Sequence, residues 1–384
     1  MRLETADTNF LWRALALAER GEGHTRPNPP VGAVIVKDNK IVGEGWHKRC
    51  GGDHAEVAAI KDALLNLAPL QPRNLKNCTL YVTLEPCSKP GRVGACTDAI
   101  IAAEIKKVVY AVPDPNPKNR GKAKRALAKH GIECVKASRS ACDPVEWDAC
   151  GGLKSLIKSA GRMIAPFAKH VTTGLPFVTV KLAMSLDGKI CDDWGNAKWI
   201  SSARSRKSVG WERARVDAIM VGAETVRKDN PSLLSHNKRH DDLIRVVVTR
   251  SGKLPKSSQV FTDGAPNETF VFKVGEAASR RFNKDGSLFT RSGETPLPRC
   301  KDIKDVLRRL GKMGVMHVLC EGGLSLARSL ADAGLVDRWI SITAPIIIGS
   351  RHLKDAMRLC HYEGGMPDPF AGDCEERYER CSRA

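Results

Sequence analysis

Apolar and polar positions divide the chain into two successive series of predicted helices and strands. In the first series, apolar residues spaced three and four apart predict helices over 8–20, 55–67, 97–104 and 121–130. Short apolar runs predict strands over 31–36, 41–46, 79–84 and 107–112. The polar turn at 38–40 joins the first two strands as a hairpin. Strands that alternate with helices are typical of an α/β sandwich.

The second series shows the same alternation, but its sequence does not repeat the first. Its strands are predicted over 177–183, 217–222, 244–249, 269–273 and 315–320, and its helices over 202–214, 302–312 and 324–333. Gly151-Gly152 marks a weak boundary, and the polar segment 275–300 is predicted to be a surface excursion. The pattern therefore predicts one domain over 1–148, a helical connector over 149–176 and a different domain over 177–384.

The composition is that of a globular protein, with 42% hydrophobic and 27% charged residues. No apolar run approaches the roughly 20 residues that cross a bilayer, and the first residues lack the order of a signal peptide. The sequence therefore predicts a cytoplasmic protein that has no membrane partner. Its 13 cysteines are expected to stay reduced, and a few of them are candidates for metal binding.

The net charge of +19 raises the question of a nucleic-acid partner. The excess is spread along the chain, apart from one cluster of lysines and arginines over 118–129. A diffuse positive field suits phosphorylated small molecules as well as nucleic acid, and aromatic residues, at 5%, are few for a stacking platform. A phosphorylated small molecule is therefore the favoured partner, and a solvated basic surface is the simplest interpretation of the cluster.

Three side chains suited to metal binding lie at the ends of predicted elements. His54 opens a helix, Cys87 follows a strand, and Cys96 opens another helix. A catalytic zinc ion takes three protein ligands and keeps a fourth position for water, which one imidazole and two thiolates satisfy. Helix N-termini help thiolates to deprotonate, and Pro86 is well placed to begin a helical turn at Cys87. The sequence thus predicts a zinc site formed by these three residues.

Glu56 lies two residues after the predicted ligand His54 and is not itself a predicted ligand. Histidine-x-glutamate at a helix start, followed later by proline-cysteine, is the signature of zinc deaminases, in which the carboxylate moves protons. Glu56 is therefore the predicted catalytic residue. One feature departs from the superfamily, because eight residues rather than the usual two separate the cysteines.

Several motifs together resemble the bifunctional riboflavin-biosynthesis deaminase/reductase, in which the longer cysteine spacing is normal. They are residues 27–32 (PNPPVG), 43–47 (GEGWH), 54–56 (HAE), 83–88 (TLEPCS), 91–92 (GR), 96–99 (CTDA) and 114–117 (DPNP). The resemblance covers residues 8 to about 350. It implies a cytidine-deaminase-like α/β/α sandwich followed by a dihydrofolate-reductase-like α/β domain, with zinc and NADPH as cofactors.

In the first domain, the resemblance implies that Asn28 and His47 contact a pyrimidine substrate. Lys89 stands where the family usually has histidine, and a lysine there would still be able to meet a phosphate. From the residues alone, Asn28 is a turn residue between prolines and His47 is a surface histidine at a strand end.

In the second domain, the resemblance continues at residues 180–188, 198–202, 213–214, 222–226, 229–231 and 321–323. It implies an NADPH site lined by Ala183, Trp199, Thr225, Asp229, Gly323, Leu324, Ser325, Leu326, Ala327, Arg328 and Ser329. It also implies a substrate site formed by Arg213, Leu233, His236 and Glu321. From the residues alone, the glycine turn at 322–323 suits a phosphate at a helix N-terminus, and Arg213 suits bidentate phosphate binding.

Two positions of the second domain depart from the family. His236 stands where arginine is frequent, and Thr249-Arg250 replace an Asp-Ser pair at a strand end. These departures leave open a reductase with different phosphate contacts or with impaired activity.

The expected function is zinc-dependent deamination of 2,5-diamino-6-(5-phosphoribosylamino)pyrimidin-4(3H)-one, then NADPH-dependent reduction of the ribosyl chain to ribityl, in a homo-oligomer. A zinc deaminase acting on tRNA or nucleoside bases is the enzymatic alternative, and only the positive charge favours it. A zinc-stabilised nucleic-acid-binding protein is the other alternative, and it has no need of Glu56. A steep salt dependence of RNA binding would favour the last of these.

Overall fold

The computed structural model describes residues 5–67, 75–89, 93–138, 147–235, 243–265, 267–275, 299–349, 357–358 and 374–379. Contacts divide the chain into two compact units, Met1–Gly174 and Leu175–Ala384. Each unit has its own sheet and its own apolar core. Among the described helices, none combines the length and the apolar character needed to cross a membrane.

The first unit is a five-stranded sheet with helices on both faces. Its strands are β1 (Gly32–Lys37), β2 (Lys40–Trp46), β3 (Thr79–Leu84), β4 (Lys107–Val112) and β5 (Glu133–Lys136). Its helices are α1 (Thr5–Ala18), α2 (Ala55–Asn66), α3 (Cys96–Ala102), α4 (Lys122–Ala128) and α5 (Trp147–Thr173). The strand order is β2-β1-β3-β4-β5. β1 is antiparallel to both of its neighbours, and β3, β4 and β5 are parallel.

Two glycines let helices lie directly on this sheet from opposite faces. A Cβ at Gly32 in β1 would collide with the backbone of α1 at Ala14, and a Cβ at Gly45 in β2 would collide with the backbone of α2 at Ala59. Gly45 pairs with Ala33, the neighbour of Gly32, so the two glycines face opposite sides of the sheet. α1 and α5 therefore cover one face, and α2, α3 and α4 cover the other.

The helix α5 belongs to the first unit. Its side chains Leu153, Leu156, Ala160 and Ile164 are buried in the first core, and the helix contacts α1 and β4. The segment 149–176, predicted as a connector, thus forms most of a helix that packs on the first sheet.

The second unit is a larger, mostly parallel sheet. Its strands are β6 (Phe177–Ser185), β7 (Ala218–Gly222), β8 (Ile244–Thr249), β9 (Thr269–Val274), β10 (Arg299–Cys300), β11 (His317–Cys320), β12 (Arg338–Ala344), β13 (Ile346–Ile347), β14 (Met357–Arg358) and β15 (Cys374–Glu379). Its helices are α6 (Ala203–Arg213), α7 (Ala223–Asp229), α8 (Gln259–Thr262), α9 (Ile303–Lys312) and α10 (Leu324–Asp332). The strand order is β10-β9-β8-β7-β11-β6-β12-β15, and only β15 is antiparallel to its neighbour. β13 and β14 form a separate antiparallel pair.

The carboxyl ends of the central strands β6, β11 and β7 meet at one edge of this sheet. Two glycine turns follow two of these strands, and a Cβ at Gly322 would lie 3.3 Å from the nitrogen of Gly222. Ligands of open α/β sheets bind outside the carboxyl ends of the strands. This edge is therefore where a ligand site is expected.

The predicted helices and strands are present, with ends that differ by about three residues at most. The sequence pattern missed β5, α7, α8, β12, β13, β14 and β15, all of which are seven residues or shorter. Of the predicted excursion over 275–300, Arg299 and Cys300 instead form β10, because they pair with β9. Residues 276–298 lie outside the described part of the chain.

The close approach of α2 to β2 can be tested with a single added methyl group. We expect Gly45→Ala to destabilise the first unit by about 1–3 kcal/mol, because a Cβ there overlaps the backbone of α2. Urea unfolding, assigned to this unit by hydrogen exchange of the α2 amides, measures the loss.

Gly161→Ala is the matched control for that variant. Gly161 lies in α5, and a Cβ at this position would meet no other part of the protein within 4 Å, its own helix backbone aside. Alanine stabilises a helix interior by roughly 0.5–1 kcal/mol relative to glycine, so this variant is expected to be neutral or stabilising. Equal losses in the two variants would refute the packing argument.

Candidate zinc centre and reductase site

Three side chains from three elements converge at one end of the first sheet. His54 immediately precedes α2, Cys87 follows β3, and Cys96 is the first residue of α3. Nδ1 of His54 lies 3.1 Å from Sγ of Cys96 and 3.7 Å from Sγ of Cys87, and the two sulfur atoms are 3.4 Å apart. Tetrahedral zinc with ordinary bond lengths places such donors about 3.5–3.8 Å apart. The observed separations are within about 0.4 Å of that range, so small side-chain shifts would let the three residues hold a zinc ion.

The start of α3 stabilises a thiolate at Cys87. The backbone N–H of Cys96 donates to Sγ of Cys87 at 3.3 Å. The thiol of Cys96, and after it His54, lower the pKa of Cys87, whereas the same hydrogen bond and burial raise the pKa of Cys96. Residues 85–88 are not helical, so the predicted helical turn at Cys87 is wrong. The positive end of α3 supplies the assistance instead.

Glu56 is the second residue of α2 and is only 4% exposed. Burial, and then the charge of Cys87, raise the pKa of Glu56 to about 7. A carboxyl group whose pKa lies near neutrality is well matched to accept a proton and return it. Glu56 stands beside the ligands without belonging to the cluster that fits the metal.

The structure brings Asn28 and His47 to the same place. The ring of His47 lies edge-on to that of His54 with 5.2 Å between centroids. Nδ1 of His47 is 2.9 Å from the carbonyl oxygen of Asp53, and Nε2 is 3.0 Å from Nδ2 of Asn28. Burial first, and His54 after it, lower the pKa of His47, which favours the neutral ring. The predicted surface position of His47 is wrong, because the residue is 2% exposed.

Two residues near the ligands were not singled out from the sequence. Glu85 is 2% exposed and accepts the backbone N–H groups of Asp114, Gly121 and Ala123 at 3.1–3.3 Å. Ser88 has a buried hydroxyl without a hydrogen-bond partner among the described residues. Both belong to the motif at 83–88, which was the available signal. Lys89, predicted to meet the substrate, is exposed.

In the second unit, Arg213 and Glu321 form a bidentate ion pair at the predicted edge of the sheet. Nε and Nη2 of Arg213 donate to the two carboxylate oxygens of Glu321 at 2.6 and 3.0 Å. Nη1 donates to the carbonyl oxygen of Leu234 at 3.1 Å. Burial opposes the charge of Arg213, but Glu321 outweighs it and raises the arginine pKa.

The predicted cofactor residues occupy the same carboxyl edge. Ala183 is near the end of β6, and Thr225 and Asp229 are in α7. Trp199 is 65% exposed, with the guanidinium of Arg206 4.4 Å from its ring centroid.

The segment 323–329 divides into two parts. Gly323, Leu324, Ser325 and Arg328 are exposed, and α10 begins there without a side-chain cap. Leu326 and Ala327 are buried in the second core. Backbone N–H groups at such a helix start are suited to a phosphate.

Three further predicted positions do not present a side chain to the site in the described structure. The side chain of Leu233 is 1% exposed and packs in an apolar cluster, so only its backbone is available to a ligand. His236 lies outside the described residues. Thr249 ends β8 and accepts the N–H of Gly252 at 3.0 Å, so it stabilises a turn where the family has aspartate.

Two different protein families match the two halves of the chain. The family described as "Cytidine and deoxycytidylate deaminase zinc-binding region" matches residues 4–112, and "RibD C-terminal domain" matches residues 176–359. The riboflavin biosynthesis protein RibD of Aquifex aeolicus is 35% identical over 345 residues, which are 89% of this chain and 88% of that protein. RibD of Escherichia coli is also 35% identical, over 93% of this chain and 92% of its own.

A solved structure from Thermotoga maritima agrees over nearly the same length. It is a diaminohydroxyphosphoribosylaminopyrimidine deaminase/5-amino-6-(5-phosphoribosylamino)uracil reductase, 32% identical. It has a TM-score of 0.72 and covers 90% of this chain and 89% of its own.

This chain belongs to the RibD family. Membership confirms the predicted fold classes and the combination of a deaminase with a reductase in riboflavin biosynthesis. It also confirms zinc and NADPH as the predicted cofactors of a RibD protein. The roles given to individual residues remain predictions.

The ligand assignment predicts that the protein binds one zinc ion per chain in the first unit. Cys87→Ser is expected to lose most of that zinc and the deaminase activity, because a serine hydroxyl does not ionise at neutral pH and cannot replace the thiolate ligand. Elemental analysis of purified protein measures the metal. Cys134→Ser is the control, since Cys134 is buried away from the ligand cluster. Unchanged zinc in Cys87→Ser would remove Cys87 from the ligand set.

Proposed function

We propose that the first unit hydrolyses the 2-amino group of 2,5-diamino-6-(5-phosphoribosylamino)pyrimidin-4(3H)-one. The second unit then reduces the ribosyl chain of the product to ribityl with NADPH. The observation that carries the proposal is the zinc-fitting cluster of His54, Cys87 and Cys96 beside the buried Glu56, in a chain collinear with the deaminase/reductase of T. maritima.

Glu56 moves protons during deamination. His54 and the two cysteines would hold the zinc ion, which, when bound, would lower the pKa of a water molecule toward neutrality. Glu56 would accept one proton from the attacking water and pass it to the ring nitrogen. It would then take the second proton of that water and pass it to the amine, which leaves as ammonia. Glu56 is buried beside the metal ligands, so its carboxyl group lies close to the atoms that would give up and receive the protons.

Asn28 and His47 orient the pyrimidine. Nδ1 of His47 donates to a carbonyl oxygen, so Nε2 accepts from the amide nitrogen of Asn28. The amide oxygen of Asn28 then remains to accept an N–H of the substrate. Lys89, exposed two residues after Cys87, offers a positive charge to the phosphate.

Arg213 binds the substrate phosphate in the second unit. A guanidinium has five N–H donors, and hydrogen bonds to Glu321 and Leu234 account for three of them. Two donors are left for a phosphate, and Glu321 fixes the plane in which they point. Glu321 also accepts from a substrate hydroxyl.

NADPH, when bound, would supply the hydride, and the residues of the second unit would orient it. The exposed start of α10 at Gly323, Leu324 and Ser325 binds a cofactor phosphate through backbone N–H groups. The exposed ring of Trp199, together with Thr225, Asp229 and Ala183, lines the rest of the cofactor site. We further propose that the protein is a cytoplasmic homo-oligomer with no nucleic-acid partner.

The role of Glu56 is tested by Glu56→Gln. The variant is expected to keep its zinc and fold while deamination falls by about 10²–10⁴-fold, because glutamine cannot accept the proton. Product formation and zinc content are measured on the same sample. Full activity in the zinc-replete variant would contradict the proposed role, and loss of zinc would make Glu56 structural.

The role of Arg213 is tested by Arg213→Ala. A charge-assisted hydrogen bond contributes roughly 1.5–3 kcal/mol, so the KM of the reductase substrate is expected to rise about ten- to a hundredfold. The affinity for NADPH and the deaminase rate are expected to stay nearly unchanged. Arg213→Lys should recover only part of the loss, because an ammonium lacks the planar fork.

Arg245→Ala is the matched control for Arg213→Ala, since Arg245 is 3% exposed and forms another partly buried ion pair, with Asp263, in the same unit. It is expected to destabilise the unit without a selective rise in substrate KM. If Arg213→Ala instead loses NADPH binding and keeps its substrate KM, Arg213 belongs to the cofactor site.

A further inference from the structure

The segment 118–129 is the most strongly charged part of the chain. It contains six basic residues and no acidic one: Lys118, Arg120, Lys122, Lys124, Arg125 and Lys129. The nearest carboxylates in sequence are Asp114 and Glu133. The structure places this basic segment on α4 and on the turn that precedes it.

The basic segment is open to solvent. Five of its six cations are exposed, and Lys122, which is half-buried, donates to the carbonyl oxygen of Lys118 at 2.5 Å. Within the described part of the chain, none of the six forms an ion pair with a carboxylate. Surface cations elsewhere in the unit do so, as Arg13 with Glu44 and Lys61 with Asp53 show. The carboxylate of Glu85 is bonded to the backbone of the segment, but the segment carries six cations, so it keeps a net positive field.

The basic segment begins beside the zinc centre. Glu85, two residues before the ligand Cys87, accepts the N–H groups of Gly121 and Ala123 at 3.1 and 3.3 Å. Asp114 also lies near the zinc centre. Burial, and then the charges of Glu85 and Cys87, raise its pKa. The turn that carries the first basic side chains is thus tied by hydrogen bonds to the strand end that carries a metal ligand.

We propose that the basic segment 118–129 is an electrostatic capture surface that draws the phosphorylated substrate to the deaminase site. This inference rests on the proposed function, because it requires a substrate with a phosphate. Several cations at one edge of a site raise the local concentration of an anion without contacting it, and salt screens the effect within about 8–10 Å at physiological ionic strength.

A small phosphorylated molecule suits this surface better than nucleic acid. Proteins that bind single strands combine positive charge with aromatic side chains on which bases stack. Residues 115–132 contain no tryptophan, tyrosine or phenylalanine. The basic segment offers charge without a stacking surface.

Charge reversal in the full-length, zinc-loaded protein tests the proposal. The variant Lys118→Glu/Lys124→Glu changes two exposed residues that contact neither the ligands nor Glu56 among the described interactions. The control Lys154→Glu/Lys158→Glu makes the same charge change on α5, on the opposite face of the sheet. Deamination is measured with the phosphorylated ribosylaminopyrimidine and with the same compound lacking its phosphate.

The expected KM values follow from the Coulomb attraction between the phosphate and the two reversed charges, which salt screens. The variant should raise the KM of the phosphorylated compound about tenfold at ~10 mM salt and about threefold at ~150 mM salt, with kcat unchanged. The KM of the compound without phosphate should stay the same. The α5 control should change either KM by less than about twofold.

Three results would overturn the proposal. The first is a KM of the phosphorylated compound that is the same in the variant and the wild type at low salt. The second is an equal rise in the KM of both compounds. The third is loss of RNA binding in the variant with an unchanged KM ratio, which would identify the surface as a nucleic-acid site. If the wild-type protein does not deaminate the phosphorylated compound, the proposed function itself is refuted. This outcome is distinguishable from failure of the capture surface, because it is observed with the wild-type protein before any variant is measured.

Discussion

The close approach of α2 to β2 is the constraint on which the deaminase site depends. Gly45 has no side chain, so the backbone of α2 lies directly on the sheet. The first turn of that helix then reaches the strand end that carries Cys87, and α3 brings Cys96 to the same point. His54 and Glu56 are two residues apart, and both approach one centre only because this centre lies at the entrance of the helix.

Buried carboxylates have different tasks in the two units. Glu56 is buried without a cationic partner close enough to offset its burial, so its pKa rises to about 7 and it is suited to carry protons. Glu321 is held by the guanidinium of Arg213. Both groups stay charged, and the pair fixes the orientation of the guanidinium. Glu85 satisfies its oxygens with three backbone N–H groups and joins the ligand-bearing strand end to the basic segment. The role of each of these carboxylates therefore depends on its bonding partners and not on burial alone.

Much of this arrangement was predictable from the sequence. The ligands, Glu56 and most elements follow from periodicity and from side chains at element ends, because both are local features. The surroundings of His47 were not predictable, since they depend on the folding of its own loop back to Asp53 and on Asn28, which comes from another loop. The pairing of Arg213 with Glu321, 108 residues apart in sequence, and the burial of Leu233 likewise arise only when the second sheet forms.

The most direct test of this account is mass spectrometry of the pyrimidine product with and without NADPH. Without NADPH, the zinc-loaded protein is predicted to release a product in which one amino group is replaced by oxygen and the ribosyl chain is unchanged. With NADPH, that product is predicted to gain two further hydrogens. A product that gains the hydrogens while it keeps the amino group would contradict the account, and so would a substrate that stays unchanged under both conditions.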